Sequence, residues 1–272
     1  MPKLKSLTLQ YQYPSFIRNN PQLLRWVYGL HYLTQLRKWY VMREWRLLLL
    51  SKKAPCTIVD FGCGEGQYIV PFTKQINSAT FIGADYHLPS VELMNQFGIA
   101  NLSGQLFNLE TDQLAHMVDI GLCVGVLQYI SEDELALKNM YLSLKKEGKL
   151  LLYVPINGIF LTKVYPYIFQ RFEQYESVNN RKRVYTENEL LEKVERAGFT
   201  VRKKIYTYGT AGKLSHELLN SCTTLIVSGS YLFKSVAGFC LILFYPIILL
   251  LMMMDFISKK SNGNGLLLIL EK

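Results

Sequence analysis

At 272 residues the chain can bury one good-sized core, as one decorated domain or two small ones. Half of its residues are hydrophobic and aromatics are plentiful, which excludes a disordered chain. A positive mean hydropathy in a protein of net charge +9 also sets it apart from ordinary soluble proteins and hints at membrane contact.

The charge is uneven. Ten basic residues (Lys3, Lys5, Arg18, Arg25, Arg37, Lys38, Arg43, Arg46, Lys52 and Lys53) fall in the first 55 positions against Glu44 alone, and beyond them twenty cations meet twenty anions. The excess belongs to a basic helical N-terminal arm, residues 1–54, which can face anionic lipid, nucleic acid or water. Cys56, Cys63, Cys123, Cys222 and Cys240 form no CxxC pair and no zinc spacing. With an odd count and no leader at the start, they are expected as free thiols, mostly buried, in a reducing cytosolic setting.

Asn20-Pro21 is a helix start, a capping Asn followed by Pro in the first turn, and the residues through Leu50 read as one long helical stretch. Its basic residues share no clean face, so it either packs on the body or lies on a membrane surface. From Thr57 strands alternate with helices. TIVDF, FIGAD, QLFN, DIGLCVG, KLLLYVP, FTVRKKIYTY and GLLLILE are the predicted strands. A helix near Ser90 to Phe97 stops at Gly98. Ser131 to Glu134 reads as a capping box for a helix ending near Gly148, and Thr186 to Glu189 as another for a helix ending at Ala197-Gly198. The pattern predicts an α/β domain over residues 55–272. Its seven-stranded sheet is mostly parallel, with helices on both faces and an antiparallel last strand.

Val59-Asp60-Phe61-Gly62-Cys63-Gly64-Glu65-Gly66 joins a strand to a glycine-rich turn, where missing Cβ atoms let backbone approach a ligand. Asp85 closes the next strand, where a carboxylate can accept from ribose hydroxyls. The GxGxG spacing displaces the third glycine of a dinucleotide loop, and Asp60 would repel a pyrophosphate. The ammonium of a methionine moiety suits that carboxylate instead.

These segments resemble the class I S-adenosylmethionine-dependent methyltransferases of Rossmann-like fold, above all the broad small-molecule and lipid-type group whose first motif reads LDxGCGxG. The resemblance runs from Leu50 to Gly209 and returns at Gly263 to Lys272, with Asp119 to Leu127, Leu144 to Pro155 and Tyr185 to Phe199 in the expected order. It implies S-adenosyl-L-methionine as cofactor. Gly62, Cys63, Gly64 and Gly66 would hold the methionine end, with Asp60 behind them. Asp85 would match the family's acidic residue, and Tyr86 would lie beside the adenosine. Asn108 and the backbone of Leu109 would meet the adenine, and Cys123 and Val124 would line the sulfonium.

Methyl transfer from a sulfonium is an in-line displacement in which the protein chiefly aligns the nucleophile and excludes water. Where many relatives carry Glu-His after strand four, this chain has Gln128-Tyr129, neither a good base at neutral pH. His87, His216 and, with less suitable acidity, Tyr129 are the candidate proton acceptors, each equally readable as a packing or surface residue. No HExxH or His/Asp cluster predicts a metal. Tyr153 and Tyr208 read as core or strand-end aromatics, and Arg181-Lys182-Arg183 as a solvated charge run or an anionic head-group contact.

From Leu218 to Met254 the only charge is Lys234. Ser235 to Met254 is long enough to cross a bilayer, although Pro246 kinks it. Because the strands on either side should be neighbours, this insertion, residues 218–257, must return where it left. It is a hairpin of two apolar helices turning near Ser228-Gly229-Ser230 or Lys234 and dipping into lipid, a lid over the acceptor pocket, or a core or dimer element. Lys234 can snorkel toward head groups. The expected activity is methyl transfer to a small, apolar or lipid-like acceptor, by a cytoplasmic enzyme held peripherally or monotopically at the inner face of the cell membrane. RNA or protein methylation, and a non-catalytic membrane-associated protein keeping the fold, are the alternatives. Nucleic acid is not an expected partner, since no RNA-binding module is recognisable.

Overall fold

Seven strands make one sheet in a computed structural model that describes residues 15–18, 20–50, 55–114, 117–172, 181–228 and 230–272. Lys3, Lys5, Lys52 and Lys53 of the basic arm, and Gly229 of the expected turn, lie outside the described residues. In chain order the elements are α1 (Ser15–Arg18), α2 (Pro21–Thr34), α3 (Leu36–Leu50), β1 (Thr57–Phe61), α4 (Ile69–Phe72), β2 (Thr80–Asp85), α5 (Leu88–Gln96), β3 (Leu102–Leu106) and β4 (Val118–Val124). A 3-10 turn (Leu127–Tyr129) leads to α6 (Asp133–Ser143), β5 (Leu144–Pro155), α7 (Val164–Phe172), α8 (Glu187–Arg196), β6 (Thr200–Thr207), α9 (Thr210–Ser228), α10 (Tyr231–Ile257) and β7 (Gly265–Glu271).

The strand order is β3-β2-β1-β4-β5-β7-β6. The first five of these are mutually parallel, and β7 runs antiparallel to both β5 and β6. This is the sheet expected from the alternation of apolar runs with helical segments. Asp60 stands opposite Gly83 on one side and Leu122 on the other, so the carboxyl ends of β1, β2 and β4 open at one edge. Both faces are covered. Ile120, Leu122 and Val124 pack with Tyr40, Trp45 and Phe72 of α3 and α4, while Cys123 packs with Leu137 of α6 and Val194 of α8 on the other face.

The N-terminal helical stretch is two helices. Asn20 Oδ1 caps α2 by accepting from the Gln22 and Leu23 N–H groups at 3.0 and 3.2 Å, with Pro21 in the first turn. At Gln35 the backbone turns extended, without any glycine or proline to mark the break. Carbonyls freed there are satisfied from elsewhere: Trp39 Nε1 donates to Tyr32 O at 2.6 Å and Tyr245 OH donates to Leu33 O at 2.8 Å. Beyond the break α3 sinks into the core, and Trp45 stacks on Phe72 at 4.2 Å.

Two capping boxes were expected, and the cap half of one forms. Thr186 Oγ1 accepts from Glu189 N–H at 3.3 Å. At α6 the cap residue is Glu132, with no side-chain cap, and the Ser131 and Glu132 N–H groups donate to Glu110 Oε1 instead. The helix also ends at Ser143, short of Gly148. Nor is Arg183 a solvated charge: it pairs with Asp133 at 2.5 Å, beside Lys193 and Tyr185 on the same carboxylate.

Between the adjacent antiparallel strands β6 and β7, α9 and α10 form a helical hairpin that starts at Thr210, earlier than the apolar run alone indicates. Buried Asp255 ties its two feet. Its Oδ1 accepts from the Gly209 and Gly212 N–H groups at 2.9 and 3.2 Å, and its Oδ2 accepts from Tyr40 OH at 2.8 Å. Gly212 permits this approach, since a Cβ there would stand 2.6 Å from Asp255 Cγ.

Candidate active site

The turn after β1 is built on positive-φ glycines. Gly62, Gly64 and Gly66 have φ of 73, 52 and 78°, a region costly for residues with a Cβ. Their surroundings differ. A Cβ on Gly62 would lie 2.6 Å from Val126, and one on Gly66 would lie 2.8 Å from Met94 and Val70, so both glycines are required by packing. A Cβ on Gly64 would meet nothing within 4 Å. Gly64 is the one glycine of the loop that faces open space, where a ligand can approach backbone.

Two carboxylates flank the loop. Asp85 Oδ2 accepts from Gly64 N–H at 2.7 Å and its Oδ1 accepts from His87 N–H at 2.9 Å, which fixes the loop against the β2–α5 turn. Burial raises the Asp85 pKa above the usual carboxylate range. Asp60 is 2% exposed; it is held by the Ile69 N–H, but its Oδ2 has no hydrogen-bond partner among the described residues. Burial first, and the charge of Asp85 second, push its pKa up to about 7. A buried carboxylate with an unmet acceptor, beside a glycine open to space, fits a compact cation carried on a larger molecule. The ammonium of S-adenosylmethionine meets that description.

The remaining predicted residues fall into two groups. Tyr86 is 74% exposed and forms an open shelf next to Asp85. Asn108 follows β3 beside it; its Oδ1 accepts from Glu110 N–H, and Leu109 is buried with its carbonyl taken by Asn139 Nδ2. Cys63 turns its thiol inward, where burial holds it protonated and Sγ donates to the Gly64 carbonyl at 3.5 Å. Cys123 and Val124 occupy opposite faces of the sheet, so their side chains do not line one wall together. His87 pairs with Ser90 Oγ at 3.0 Å beyond β2, two strands from the β4 end. Tyr129 closes the 3-10 turn after β4.

His216 belongs to a different wall. Its side chain is exposed although protein surrounds it closely, with the rings of Tyr208 and Tyr165 at 5.3 and 5.9 Å. Burial, and then Arg37, push its pKa down to about 4, leaving a neutral imidazole near pH 7. The Asn220 side-chain amide lies 2.9 Å from its Nε2. Neighbouring Glu217 is buried and accepts from Leu161 N–H, Thr162 N–H and the Thr162 hydroxyl, which fastens α9 to the loop before α7.

Arg37 joins this wall to the sheet. A Cβ on Gly125, just past β4, would stand 2.9 Å from Arg37 Nη1, and its guanidinium lies 5.7 Å from the Tyr153 ring centroid. The Arg37 N–H donates to Tyr208 OH at 3.0 Å, and Tyr208 itself has a φ of 55°. Sequence reasoning placed Arg37 in a basic arm and Tyr153 and Tyr208 among core aromatics. No local pattern marks them, because α3 and the β6–α9 turn bring them together only in three dimensions.

The sequence matches a family described as "Methyltransferase domain" over residues 32–204, which is well over half of the chain and stops short of the α9–α10 hairpin. No curated protein matches it. Among solved structures it is similar to the cyclopropane synthase MmaA2 from Mycobacterium tuberculosis, with a TM-score of 0.57 and 14% identity over 85% of this chain and 84% of that one. It is also similar to geranyl diphosphate C-methyltransferase from Streptomyces coelicolor A3(2), in complex with Mg2+, geranyl diphosphate and S-adenosyl-L-homocysteine (TM-score 0.55, 13% identity, 85% of this chain and 78% of that one). A third is Haemonchus contortus phosphoethanolamine N-methyltransferase 2 in complex with S-adenosyl-L-methionine (TM-score 0.54, 15% identity, 84% of this chain and 52% of that one). Glycine loop, paired carboxylates, strand order and family match agree: the chain belongs to the methyltransferase domain family and is a Rossmann-like, S-adenosylmethionine-dependent methyltransferase.

Proposed function

We propose that this enzyme methylates a small, apolar or lipid-like acceptor at a membrane surface, on the cytoplasmic side. The observation that carries this reading is the outer face of α10. The helix is 27 residues, about 40 Å long at the usual rise, and Tyr231, Phe239, Ile242, Leu250 and Ile257 stand out along it at 92, 68, 79, 55 and 80% exposure. Among the described residues it is the one helix long and apolar enough to cross a membrane. The bond from Tyr245 to Leu33 O sets it beside α2, whose Leu23, Trp26 and Leu30 are exposed as well. An apolar surface this continuous is a binding surface. It adjoins the site, because α9 carries His216 and forms the other arm of the hairpin.

Within the site, Asp60 takes the ammonium of the cofactor, Gly62 to Gly64 present backbone to its methionine end, and Asp85 meets its ribose hydroxyls. Tyr86 and the Asn108–Leu109 turn flank the adenine. Arg37, against Gly125, offers a cation to the carboxylate of the same zwitterion. When bound, S-adenosylmethionine supplies a methyl group on a sulfonium, already activated for displacement. Tyr153, Tyr165 and Tyr208 exclude water and position the acceptor, and neutral His216 accepts a hydrogen bond from it. Enzymes of this fold named for geranyl diphosphate and phosphoethanolamine support a small-molecule acceptor.

The test is to incubate the purified protein with methyl-labelled S-adenosylmethionine and a total membrane lipid extract, then partition the products. Label in the organic phase, reduced about tenfold in His216→Phe, is the expected result. Label appearing only in added RNA or in precipitated protein would overturn the reading.

A further inference from the structure

An open cleft of about 360 Å³ lies at the foot of the hairpin, away from the cofactor loop, between α3, β6 and the residues that end α10. Its floor is aromatic and its rim is basic. The Arg43 guanidinium lies 4.9 Å from the Phe256 ring centroid and 5.3 Å from that of Tyr40, Lys260 Nζ lies 5.2 Å from Tyr40, and Lys204 Nζ lies 5.4 Å from Tyr206. Lys259 completes the lining and has no ion-pair partner among the described residues.

Carboxylates are present too, but they are outnumbered. Glu44 is shared by Arg43 and Lys203 at 2.9 and 2.7 Å, Glu187 holds Lys204, and Asp255 lies 3.6 Å from Lys260. Glu44 and Asp255 are 2 and 1% exposed and lie behind their cations, Glu187 is partly exposed beside Lys204, and Lys259 leaves the lining with a net positive charge. The cleft is continuous with apolar surface: Ile257 lies in its lining, and Met253 and Met254 one turn earlier are about half exposed. Cations above aromatic rings at the end of an exposed apolar helix are the arrangement that a lipid–water boundary favours.

We propose that this cleft holds the phosphate-bearing head group of an anionic membrane lipid, whose acyl chains lie along the outer face of α10. The charge complements a phosphate, and the adjoining apolar strip complements a tail, which a soluble anion lacks. The proposal rests on the membrane reading given above and adds to it a chemical preference and a location.

Flotation of the full-length protein with two kinds of vesicle tests it: phosphatidylcholine alone, and phosphatidylcholine with about a third phosphatidylglycerol. The expected result is binding about tenfold or more tighter to the anionic vesicles, weakening with salt. Lys259→Gln and Lys204→Gln should each lose about fivefold on anionic vesicles and nothing on neutral ones, while Ile242→Ser weakens binding to both. Equal binding to the two vesicle types, or unchanged binding by the lysine variants, overturns the head-group site and leaves the membrane reading standing. Binding to neither vesicle overturns the membrane reading itself. Displacement by millimolar inorganic phosphate at constant ionic strength would assign the cleft to a soluble phosphate ligand and overturn the lipid.

Discussion

Asp60 concentrates the chemistry of the site in one side chain. Its unfolded carboxyl has a pKa near 3.8, and in the folded protein burial raises this to about 7. A neutral carboxyl is tolerated in that setting and a charged one is not, so its stabilising contribution is fully present below the unfolded value and lost as pH rises through about 7. With the cofactor's ammonium placed against Asp60, as proposed, the preference reverses, because a cation favours the ionised form. Affinity for S-adenosylmethionine should therefore increase between about pH 6 and about pH 8. In Asp60→Asn it should fall about tenfold or more and lose that pH dependence. Calorimetric titration across the range checks this, and an unchanged profile in Asp60→Asn would remove Asp60 from the cofactor. Asp60 and the loop were legible in the sequence because their meaning is local: a strand, two glycines and a carboxylate at fixed spacing. The packing of Gly66 against Met94 and of Cys123 against the opposite face of β4 from Val124 depends on distant residues and carries no such local signal.

At the scale of elements, the seven strands could be read from apolar runs because both faces of the sheet are covered. Breaks and caps supplied by distant residues could not. Nothing near Gln35 predicts that Trp39 and Tyr245 will take the last carbonyls of α2, and nothing near Ser131 predicts Glu110. Asp255 is the strongest such case, since it meets two backbone N–H groups and a tyrosine hydroxyl more than forty residues away in sequence. Replacing Asp255 with Ala leaves the two backbone N–H groups buried and unmet and takes one of its two acceptors from Tyr40 OH, which keeps the Asp255 carbonyl, at a cost of roughly 3 kcal/mol. Thermal denaturation should register a fall of roughly 6–12 °C in Tm, and proteolysis should cut first within the hairpin. A Tm within a degree or so of wild type would show that the feet are held by other contacts.

For the whole molecule, the sequence already showed an insertion that must return to its starting edge, and it left open whether lipid, a lid or a protein interface covers it. The described residues include three tryptophans in distinct settings: Trp45 is fully buried, Trp39 is partly buried, and Trp26 on α2 is 67% exposed. Immersion of the α2–α10 face should shift the emission of Trp26 to the blue on adding vesicles, and Trp26→Phe should abolish the shift. A shift that persists in Trp26→Phe would place the contact elsewhere.

The hairpin leaves the sheet at β6 and comes back at the neighbouring β7, with both feet fastened at Asp255. Load on it is thus delivered in part to that one point. Gly209 sits at that point, and the hydroxyl of Tyr208, the residue before it, accepts from the Arg37 backbone N–H. Movement of the hairpin therefore reaches the start of α3 at Arg37 through two consecutive residues, and with the outer face of α10 in lipid, as proposed, anchoring depth and the alignment of the reacting end would be settings of one lever.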